Sequence, residues 1–434
     1  MEWSSAHPCR FGLLIQFFTM RSASSSAPRN ARSIALQCLQ RWAKGGVFAE
    51  TLIAKEAKEL SGADRALVQA IVMGTLRHMR RLEHICHTLR NGKLEETARW
   101  AILMGLCQLF IVGQAEHAAV SETVNVVPKR LKGLVNGILR NAVRRRAEFE
   151  SANQSLSLGV RYSMPDWLVK RWLKEFGPTD TEQMLAWNLQ TPPVYARVNP
   201  LNPMEVPTDW EPHPAAEGWY KIPSGIPLDA LSAGQVYVAD PSTRYCVQLL
   251  APAAGEKILD ACAAPGGKSA AMIAATRGEL QLLATDSAPH RLEQLRSNLL
   301  RAGGKHVEVA CHDWTQPCPP QWKEAFDAVL LDVPCSNTGV LQRRVDARWR
   351  LEPGEFTRLA QLQSAILEQA AAAVRPGGRL VYSTCSIDGQ EDRQNVDAFL
   401  ARHPEFSLVR DYLALPHIEQ ADGAYAALLV KSEI

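Results

Sequence analysis

KILDACAAPGGK, at residues 257–268, is the stretch that decides the fold of this chain. The apolar run at 257–259 predicts a buried strand, Gly266 and Gly267 predict a tight turn, and residues 268–277 predict a helix. Glycines let the backbone approach a ligand closely, and the amino terminus of a helix favours negative charge. The stretch therefore predicts a nucleotide-binding turn between a strand and a helix.

Strands and helices alternate through the rest of this half of the chain. The other predicted strands are 280–285, 307–310, 328–331 and 378–383, and the other predicted helices are 289–302 and 353–374. This alternation predicts an α/β fold with a parallel sheet, helices on both faces and a ligand at the carboxyl ends of the strands. The residues expected at or just beyond those ends are Cys262, Asp286, Asp313, Asp332 and Cys385.

Acidic residues after the second and third strands suggest how a cofactor is held. Asp286 lies 20 positions after Gly266, a distance at which a carboxylate accepts hydrogen bonds from ribose hydroxyls. Asp313 is expected to meet the adenine or the amino-acid part of a cofactor, the alternative being a solvated loop acid. A dinucleotide site is disfavoured because Gly-x-Gly-x-x-Gly is absent, and a P-loop because Cys262 stands where its first glycine is required.

Two cysteines at strand ends carry the predicted chemistry. Cys335 lies in LDVPCS, at 331–336, and Cys385 lies in YSTCS, at 382–386. A thiolate that adds to carbon 6 of a cytosine makes carbon 5 able to attack an electrophilic methyl group. One cysteine is expected to attack the base and the other to assist release, and their spacing does not decide which. Asp332 is expected to hydrogen-bond the base at N3.

No metal site and no membrane span are predicted. The ten cysteines form no Cys-x-x-Cys pair, and His84 and His87 beside Cys86 lack a fourth ligand. The apolar run 11–18 is too short to cross a bilayer, and reduced thiols without an evident signal peptide favour a cytoplasmic protein. The cysteines expected to be small buried hydrophobes are Cys9, Cys38, Cys86, Cys107, Cys246, Cys311 and Cys318.

Charge is distributed unevenly along the 434 residues. The net charge is +3, but residues 1–150 contain 22 Lys and Arg against 12 Asp and Glu. This basic first third suggests an electrostatic surface for a polyanion, the alternative being a solvated helical surface. The candidate phosphate contacts are Lys129, Arg130, Lys132, Arg140, Arg144, Arg145 and Arg146.

The pattern changes three times along the chain. We expect residues 1–29 to be a disordered extension, 30–149 an all-helical bundle, 150–235 a turn-rich connecting subdomain with a strand at 194–198, and 236–434 the α/β domain. In the bundle, helical periodicity covers 64–82, and the nearly all-apolar stretch 98–112 is consistent with a buried central helix. A further helix is expected to begin near residue 121, and Pro128 is expected to interrupt it.

The three motifs resemble those of the RNA 5-methylcytosine methyltransferases, and more narrowly the bacterial ribosomal small-subunit enzymes of the Fmu/Sun type. The resemblance covers residues 31–434. DACAAPGGK (260–268) is similar to the family's S-adenosylmethionine motif, DVPC (332–335) to its Asp-Ala-Pro-Cys motif, and STCS (383–386) to its nucleophile motif. The helical segment resembles the NusB-like RNA-binding domain of this subfamily in AAVSETV (118–124) and LVNGILR (134–140), and RVNP (197–200) resembles the segment before the catalytic domain.

The resemblance implies a fold and a set of roles. It implies a Rossmann-like, S-adenosylmethionine-dependent methyltransferase domain with a mostly parallel seven-stranded sheet, whose last strand is antiparallel, preceded by the NusB-like domain. S-adenosyl-L-methionine would be the cofactor and small-subunit ribosomal RNA the partner. Cys385 would be the nucleophile, and Cys335 would assist release of the methylated RNA. The residues implied to line the cofactor site are Cys262, Ala263, Ala264, Pro265, Gly266, Gly267, Lys268, Asp286, Asp313 and Asp332.

Two other functions remain open at this point. The same chemistry on transfer RNA is one, and a non-catalytic RNA-binding or antitermination-like factor with a vestigial cofactor fold is the other. The presence of Lys268, Asp332, Cys335 and Cys385 argues against the second. Departures from the family pattern at Val333, Asp392-Arg393 and 422–425 affect details of RNA contact. The chain is expected to act as a monomer.

Overall fold

The helical part opens with a capped helix. In the computed structural model, which describes residues 30–223 and 225–433, the Asn30 side chain accepts a hydrogen bond from the Ser33 N–H at 2.9 Å, and the Ser33 hydroxyl accepts one from the Asn30 N–H at 3.0 Å. This capping box satisfies amide groups that a helix leaves unpaired. The expectation for residues 1–29 falls outside the described residues. The helices are α1 (Ala31–Ala43), α2 (Ala49–Glu56), α3 (Gly62–Arg77), α4 (Met79–Leu89), α5 (Glu96–Cys107), α6 (Glu116–Asn125), α7 (Lys129–Arg144), α8 (Arg146–Ser151) and α9 (Leu158–Arg161).

The expected bundle is confirmed, with two differences in helix position. The periodic stretch 64–82 is divided at His78 into α3 and α4. The helix expected to begin near residue 121 begins at Glu116 instead, and the prediction missed it because no side chain caps its first turn. As expected, Pro128 separates α6 from α7. The predicted boundary at 149/150 falls inside α8.

Helix α5 lies at the centre of the helical core. Its Trp100 meets Trp42 of α1 edge to face, with the ring centroids 6.0 Å apart. The apolar stretch predicted as one helix over 98–112 is α5 followed by a π-helical turn at Gln108–Val112. The helices pack through apolar faces, so removal of this surface from water is the main force that holds the bundle together.

A long helix and a small sheet follow the bundle. Helix α10 (Asp166–Leu189) breaks at Gly177, whose φ of 77° suits glycine, directly before Pro178. Among residues 30–223 and 225–433, no helix combines the length and apolar character needed to cross a membrane. The small sheet consists of β1 (Tyr195–Val198), β2 (Glu211–Pro212), β3 (Trp219–Lys221) and β4 (Val236–Val238), with α11 (Leu228–Ser232) beside β4.

The small sheet is antiparallel, in the order β2-β3-β1-β4. Strand β1 matches the strand predicted at 194–198. Strand β4 pairs with β1, so the sheet extends past the boundary expected at residue 235. The connecting region therefore has its own small core, in which Ala196, Trp210 and Val236 are buried.

The α/β part is built on one large sheet. Its strands are β5 (Lys257–Asp260), β6 (Gln281–Asp286), β7 (Val307–Cys311), β8 (Phe326–Asp332), β9 (Val374–Thr384), β10 (Phe406–Ala414) and β11 (Ala424–Lys431). Its helices are α12 (Arg244–Leu250), α13 (Gly267–Ala275), α14 (Pro289–Arg301), α15 (Ala347–Arg350), α16 (Pro353–Ala371), α17 (Arg393–Leu400) and α18 (Pro416–Glu419). The strand order is β10-β11-β9-β8-β5-β6-β7.

Strands β7, β6, β5, β8 and β9 run parallel, and the last strand, β11, is antiparallel to both neighbours. The expected seven-stranded sheet with an antiparallel last strand is therefore confirmed. Each of the five strands located from the sequence lies within a few residues of its observed position. Strands β10 and β11 were not located from the sequence.

Successive residues of the central strands bury their side chains on opposite faces. Ile258 belongs to the core under α12, α13 and α14, whereas Leu259 belongs to the core under α16 and α17. Leu330 and Leu331 on β8 divide in the same way. A parallel sheet covered on both faces leaves the carboxyl ends of its strands as the natural ligand site.

A bridging segment, residues 338–350, joins the end of β8 to the helical part. Its Val345 is fully buried in the helical core. The Trp349 indole N–H donates to the Leu76 carbonyl at 2.9 Å, and an Asp346 carboxylate oxygen accepts from the Ala49 N–H at 2.9 Å. The segment that follows Cys335 is therefore anchored in the helical part at its far end.

Candidate active site

The glycine turn is shaped by one left-handed residue. Gly266 has a φ of 106°, and its N–H donates to the Ala263 carbonyl at 2.7 Å. A Cβ at this position would also lie 2.9 Å from a methyl of Leu295 on α14. Only glycine fits both demands without strain, and the turn brings the backbone at 261–265 to the edge of a cavity.

Two predicted carboxylates lie at neighbouring strand ends beside this turn. Asp286, at the end of β6, accepts from the N–H groups of Ala264 at 3.3 Å and Ala288 at 3.0 Å. Asp313, just past β7, accepts with one oxygen from the Thr315 N–H at 2.9 Å, and its other oxygen has no donor within the described ranges. The order β5-β6-β7 in the sheet places both acids beside the turn, as the sequence predicted.

Lys268 and Asp332 form an ion pair across the strand ends. The Lys268 Nζ lies 2.5 Å from the Asp332 Oδ2. Burial opposes the charged form of Lys268, but Asp332, Cys246 and Cys385 together raise its pKa above the usual range. Asp332 remains about one-third exposed, so its second oxygen is open to the cavity.

Asp260 lies behind this ion pair and is fully buried. Its Oδ2 accepts from the Ser269 hydroxyl at 2.5 Å, and its Oδ1 has no partner within residues 30–223 and 225–433. Burial raises the pKa of Asp260 to about 7, and the negative charge of Asp332 acts in the same direction. The carboxyl at the end of β5 therefore titrates near neutral pH.

Cys335 and Cys385 come together at the same edge of the sheet. Their sulfur atoms are 2.8 Å apart, and the Cys385 thiol also lies 3.3 Å from the Asn337 Oδ1. Cys335 is 9% exposed, whereas Cys385 is half-buried. The hydrogen bond to Cys385, followed by burial, raises the pKa of the Cys335 thiol well above its usual range. The Cys335 thiol is therefore protonated at neutral pH.

One cavity of about 410 Å³ joins these groups. The sequence-predicted residues that line it are Cys262, Ala264, Pro265, Asp286, Asp313, Asp332, Cys335 and Cys385. Ala263, Gly266, Gly267 and Lys268, which were also predicted, belong to the turn and the start of α13 but do not line it. The cavity lies in the size range of small-molecule sites.

Several lining residues were not predicted. Arg291 pairs with Asp286 at 3.3 Å and donates to the Ala264 carbonyl. Arg344 makes no side-chain hydrogen bond or ion pair to any residue that the structure describes, whereas its neighbour Arg343 is held by two carboxylates. The signal in the sequence was the Arg343-Arg344 pair closely following Cys335. The other lining residues that were missed are Ala261, Ser287, His312, Trp314, Val333, Pro334, Asn337 and Ile366.

The seven basic residues predicted to contact RNA lie on α7, on α8 or, for Arg145, between the two helices, and none of them lines the cavity. Three have acidic partners: Arg130 pairs with Glu95, Arg145 with Glu148, and Arg146 with Glu150. Arg140 and Arg144 line a groove of about 530 Å³ between α6 and α7. The other two of the seven residues, Lys129 and Lys132, lie in the first turns of α7.

The cysteines outside the site follow the expectation with one exception. Cys38, Cys86, Cys107 and Cys246 are buried and Cys318 is half-buried. Cys311 is exposed, which corrects the prediction, because β7 is an edge strand with a less covered surface. Cys9 lies outside the described residues. Within 30–223 and 225–433, no group of three or more His, Cys, Asp or Glu side chains is placed to hold a metal ion.

Comparison with known proteins identifies the family. The model of 16S rRNA methyltransferase RsmB/F matches residues 247–430, the NusB family matches 29–144, and the ferredoxin-like domain of RsmF/B-like methyltransferases matches 164–203. The ribosomal RNA small subunit methyltransferase B of Citrobacter koseri is 35% identical over 93% of this chain and 99% of its own length. That of Yersinia pseudotuberculosis is 36% identical with the same coverage. The chain belongs to the ribosomal RNA small subunit methyltransferase B family.

Solved structures share the fold of this methyltransferase B family chain. The crystal structure of PH0851 matches with a TM-score of 0.74 at 22% identity, covering 92% of this chain and 99% of that one. NSun6 from Pyrococcus horikoshii, solved with SFG, matches with a TM-score of 0.52 at 20% identity, covering 62% and 98%. At these identities the likeness establishes the architecture.

The site residues fit the family's cofactor. As a methyltransferase B family member, the chain is an S-adenosylmethionine-dependent RNA methyltransferase. S-adenosylmethionine carries a ribose diol and an α-ammonium group, and both donate hydrogen bonds. Asp286 and the unpartnered oxygen of Asp313 offer such acceptors at the cavity wall.

Proposed function

We propose that this enzyme methylates carbon 5 of a cytosine in small-subunit ribosomal RNA through a covalent bond between Cys385 and the base. The observation that carries the proposal is the shared cavity, whose wall includes Cys385, Cys335, Asp332 and the predicted cofactor acid Asp286. A nucleophile, a second thiol and a hydrogen-bonding acid within reach of the methyl donor are the groups that this reaction needs.

The reaction begins at Cys385. Its sulfur forms a bond to carbon 6 of the cytosine, and the electron pair of the C5–C6 double bond makes carbon 5 nucleophilic. Bound S-adenosylmethionine would supply the electrophilic methyl group, whose bond to the sulfonium sulfur breaks and leaves S-adenosylhomocysteine. Carbon 5 then carries both the methyl group and its original hydrogen. Loss of that hydrogen as a proton restores the C5–C6 double bond and expels Cys385 as a thiolate.

Cys335 suits the release step because its protonation state depends on Cys385. In the free enzyme the hydrogen bond to Cys385, burial, and the charge of Cys385 keep the Cys335 thiol protonated. Once the Cys385 sulfur is bonded to carbon 6, it carries no charge, so the two causes that come from Cys385 disappear, whereas burial and the charge of Glu391 remain. The pKa of Cys335 then falls, which favours its action as a base in the second half of the reaction.

Asp332 and Lys268 act on the ring of the base. The Lys268 ammonium holds one oxygen of Asp332, and the other oxygen has no donor within the part of the chain that the structure describes. We assign that second oxygen to N3 of the cytosine: N3 takes up a proton from solvent as Cys385 attacks carbon 6, and the carboxylate accepts the hydrogen bond of that new N3–H. Fixing the carboxylate before the base arrives reduces the reorganisation that the reaction requires.

The helical part and Arg344 are assigned to RNA binding. Arg140 and Arg144 border an open groove, and Arg344 presents at the cavity a guanidinium that has no side-chain partner among the residues described. Guanidinium groups bind phosphate through paired hydrogen bonds. The target cytosine has to leave its stack to enter the cavity, so contacts to the flanking backbone would hold the RNA in that state.

Methyl transfer from tritiated S-adenosylmethionine tests the proposal. The substrates are unmodified small-subunit ribosomal RNA and total transfer RNA from cells that lack the enzyme, with bisulfite sequencing to locate the product. We expect label at carbon 5 of a cytosine in the ribosomal RNA and none with Cys385→Ala. Label confined to transfer RNA would show that transfer RNA is the substrate instead. Label in neither RNA would favour a non-catalytic RNA-binding factor.

A further inference from the structure

The two cysteine loops leave the sheet separately. Cys335 lies three residues beyond the end of β8, and Cys385 directly follows β9. Backbone pairing fixes the strands only up to Asp332 and Thr384. Beyond the sheet, the distance between the two sulfur atoms depends on contacts of the loops themselves, which include hydrogen bonds from the Gly339 N–H to the Cys385 carbonyl at 3.0 Å and between the Thr338 and Ser386 hydroxyls at 3.0 Å.

A buried carboxylate lies between the loops. Glu391 is fully buried and precedes α17. Its Oε1 accepts from the Ser336 N–H at 2.9 Å and from the Gln363 side chain at 2.9 Å. Its Oε2 accepts from the Ser386 hydroxyl at 2.7 Å and from the Ser336 hydroxyl. Ser336 and Ser386 directly follow the two cysteines, so one carboxylate holds both loops.

The surroundings of Glu391 are themselves fixed. The Tyr382 hydroxyl donates to the Glu391 carbonyl at 2.6 Å, and Gln363 also donates to the Pro334 carbonyl at 3.0 Å. No cation makes an ion pair with Glu391 within residues 30–223 and 225–433. Its four donors are neutral groups, and three of them belong to the cysteine loops. A buried carboxylate whose oxygens accept hydrogen bonds from two loops holds those loops together, and we call Glu391 a clamp in this sense.

We infer that Glu391 is a positioning residue that sets the separation of Cys335 and Cys385. Its two oxygens link Ser336 on one loop to Ser386 on the other, and each serine is bonded through the backbone to a catalytic cysteine. The catalytic consequence rests on the proposed function, because both sulfurs take part in that reaction. The geometric consequence does not, because the distance between two thiols can be measured without RNA.

The rate of disulfide formation between Cys335 and Cys385 depends on that distance. Diamide oxidises two nearby thiols to a disulfide, and its azo group takes up the two electrons and two protons to become a hydrazine. The full-length protein is treated with diamide, and mass spectrometry follows formation of the peptide pair joined through Cys335 and Cys385. We expect Glu391→Gln to slow this reaction about ten-fold or more, because the amide presents donors where the serines need acceptors.

Two further variants keep the test decisive. Glu256→Gln removes a carboxylate that holds Arg379 near the opposite end of β9, and its cross-linking rate should equal that of the wild type. Ser386→Ala leaves the carboxylate in place but removes the hydroxyl that donates to it and that also contacts the Ser336 and Thr338 hydroxyls, so it should slow cross-linking even if Glu391→Gln does not fold. Wild-type rates in both Glu391→Gln and Ser386→Ala, or in Ser386→Ala alone when the other variant is unfolded, would overturn the inference.

Methyl-transfer kinetics then distinguish the positioning role of Glu391 from the proposed function of the enzyme. We expect Glu391→Gln to lower kcat about ten-fold or more while KM for S-adenosylmethionine changes little, because Glu391 does not line the cofactor cavity. If the wild type shows no cytosine methylation but the variants slow cross-linking, the clamp stands and the proposed function fails. If methylation is normal in a variant with slowed cross-linking, the clamp has no catalytic role.

Discussion

The sulfur atoms of Cys335 and Cys385 lie 2.8 Å apart, although 50 positions separate the two residues in the chain. They meet because β8 and β9 are parallel neighbours in which Asp332 pairs with Ser383. Both loops therefore leave the sheet at the same edge. One sulfur is half-buried at the cavity, and the other is buried behind it with its proton retained.

Cys385→Ala should abolish methyl transfer. The alanine cannot bond to carbon 6, so turnover should fall by about 10⁴-fold or more and no covalent complex with RNA should form. Tritium incorporation and denaturing gels of the protein–RNA mixture measure the two effects. Cys311→Ala, at an exposed cysteine outside the cavity, is the matched control and should retain activity.

Cys335→Ala should instead trap the covalent complex. Attack by Cys385 does not need the second thiol, but removal of the carbon 5 proton does, so turnover should fall by about 10²- to 10⁴-fold while the adduct accumulates. A protein–RNA band that survives denaturation is the expected observation. An adduct in Cys385→Ala and none in Cys335→Ala would reverse the assignment.

Asp332→Asn should impair catalysis without unfolding the protein. The amide keeps the shape of the side chain but lacks the charge that stabilises the ring, so kcat should fall about 10²-fold. The ion pair with Lys268 is lost as well, which should lower the free energy of unfolding by about 1–3 kcal/mol. Asp327→Asn, which removes a carboxylate from the start of the same strand, should leave kcat unchanged.

Substituting Arg140 and Arg144 together should weaken RNA binding and reduce its salt dependence. Each phosphate contact to single-stranded RNA contributes about 0.7 to the slope of log K against log salt, so Arg140→Ala/Arg144→Ala should lower the slope by about 1.4. Binding titrations across a salt series measure it. The control, Arg358→Ala/Arg402→Ala, removes exposed arginines on α16 and just after α17. Equal slopes in wild type and Arg140→Ala/Arg144→Ala would show that these two arginines do not contact the phosphates of the RNA.

Asp260 should make folding stability decrease between about pH 4 and pH 7. Its pKa is raised by burial to about 7, so the folded protein holds a proton that the unfolded chain has released. The resulting stabilisation is complete below the unfolded pKa and is lost at about 1.4 kcal/mol per pH unit as pH rises through the folded pKa. In urea unfolding, the advantage of wild type over Asp260→Asn should therefore shrink from pH 4.5 to pH 7.5. A constant difference would contradict the raised pKa.

The sequence predicted the parts of the fold that local patterns encode. Strand β5 and the glycine turn follow from an apolar run and two glycines, and the predicted end of α14 differs by one residue from its observed end at Arg301. Strands β10 and β11 were both missed, and the reason for β10 is that it is an edge strand, which exposes Val409, Tyr412 and Leu413. Edge strands bury one side incompletely, so their sequences lose the alternation that marks a strand.

The candidate site was only partly predictable for a different reason. Asp286, Asp332, Cys335 and Cys385 stand in motifs at strand ends, where topology brings them together. Glu391 gives no such signal, because its importance lies in contacts with Ser336 and Ser386 across two loops. Such contacts depend on the closed tertiary structure and not on any local spacing.

The bridging segment at 338–350 makes the two halves of this enzyme a single mechanical unit. Its first residues support the catalytic cysteine loops, since the Gly339 N–H donates to the Cys385 carbonyl at 3.0 Å, and its Val345 is buried among the helices. A strain placed on the helical half by a docked RNA thus has a short route to Cys385, along the chain from Val345 to Gly339 and then through one backbone hydrogen bond. The same segment, residues 338–350, therefore links the part of the enzyme assigned to RNA binding to the part in which the bond to the base forms.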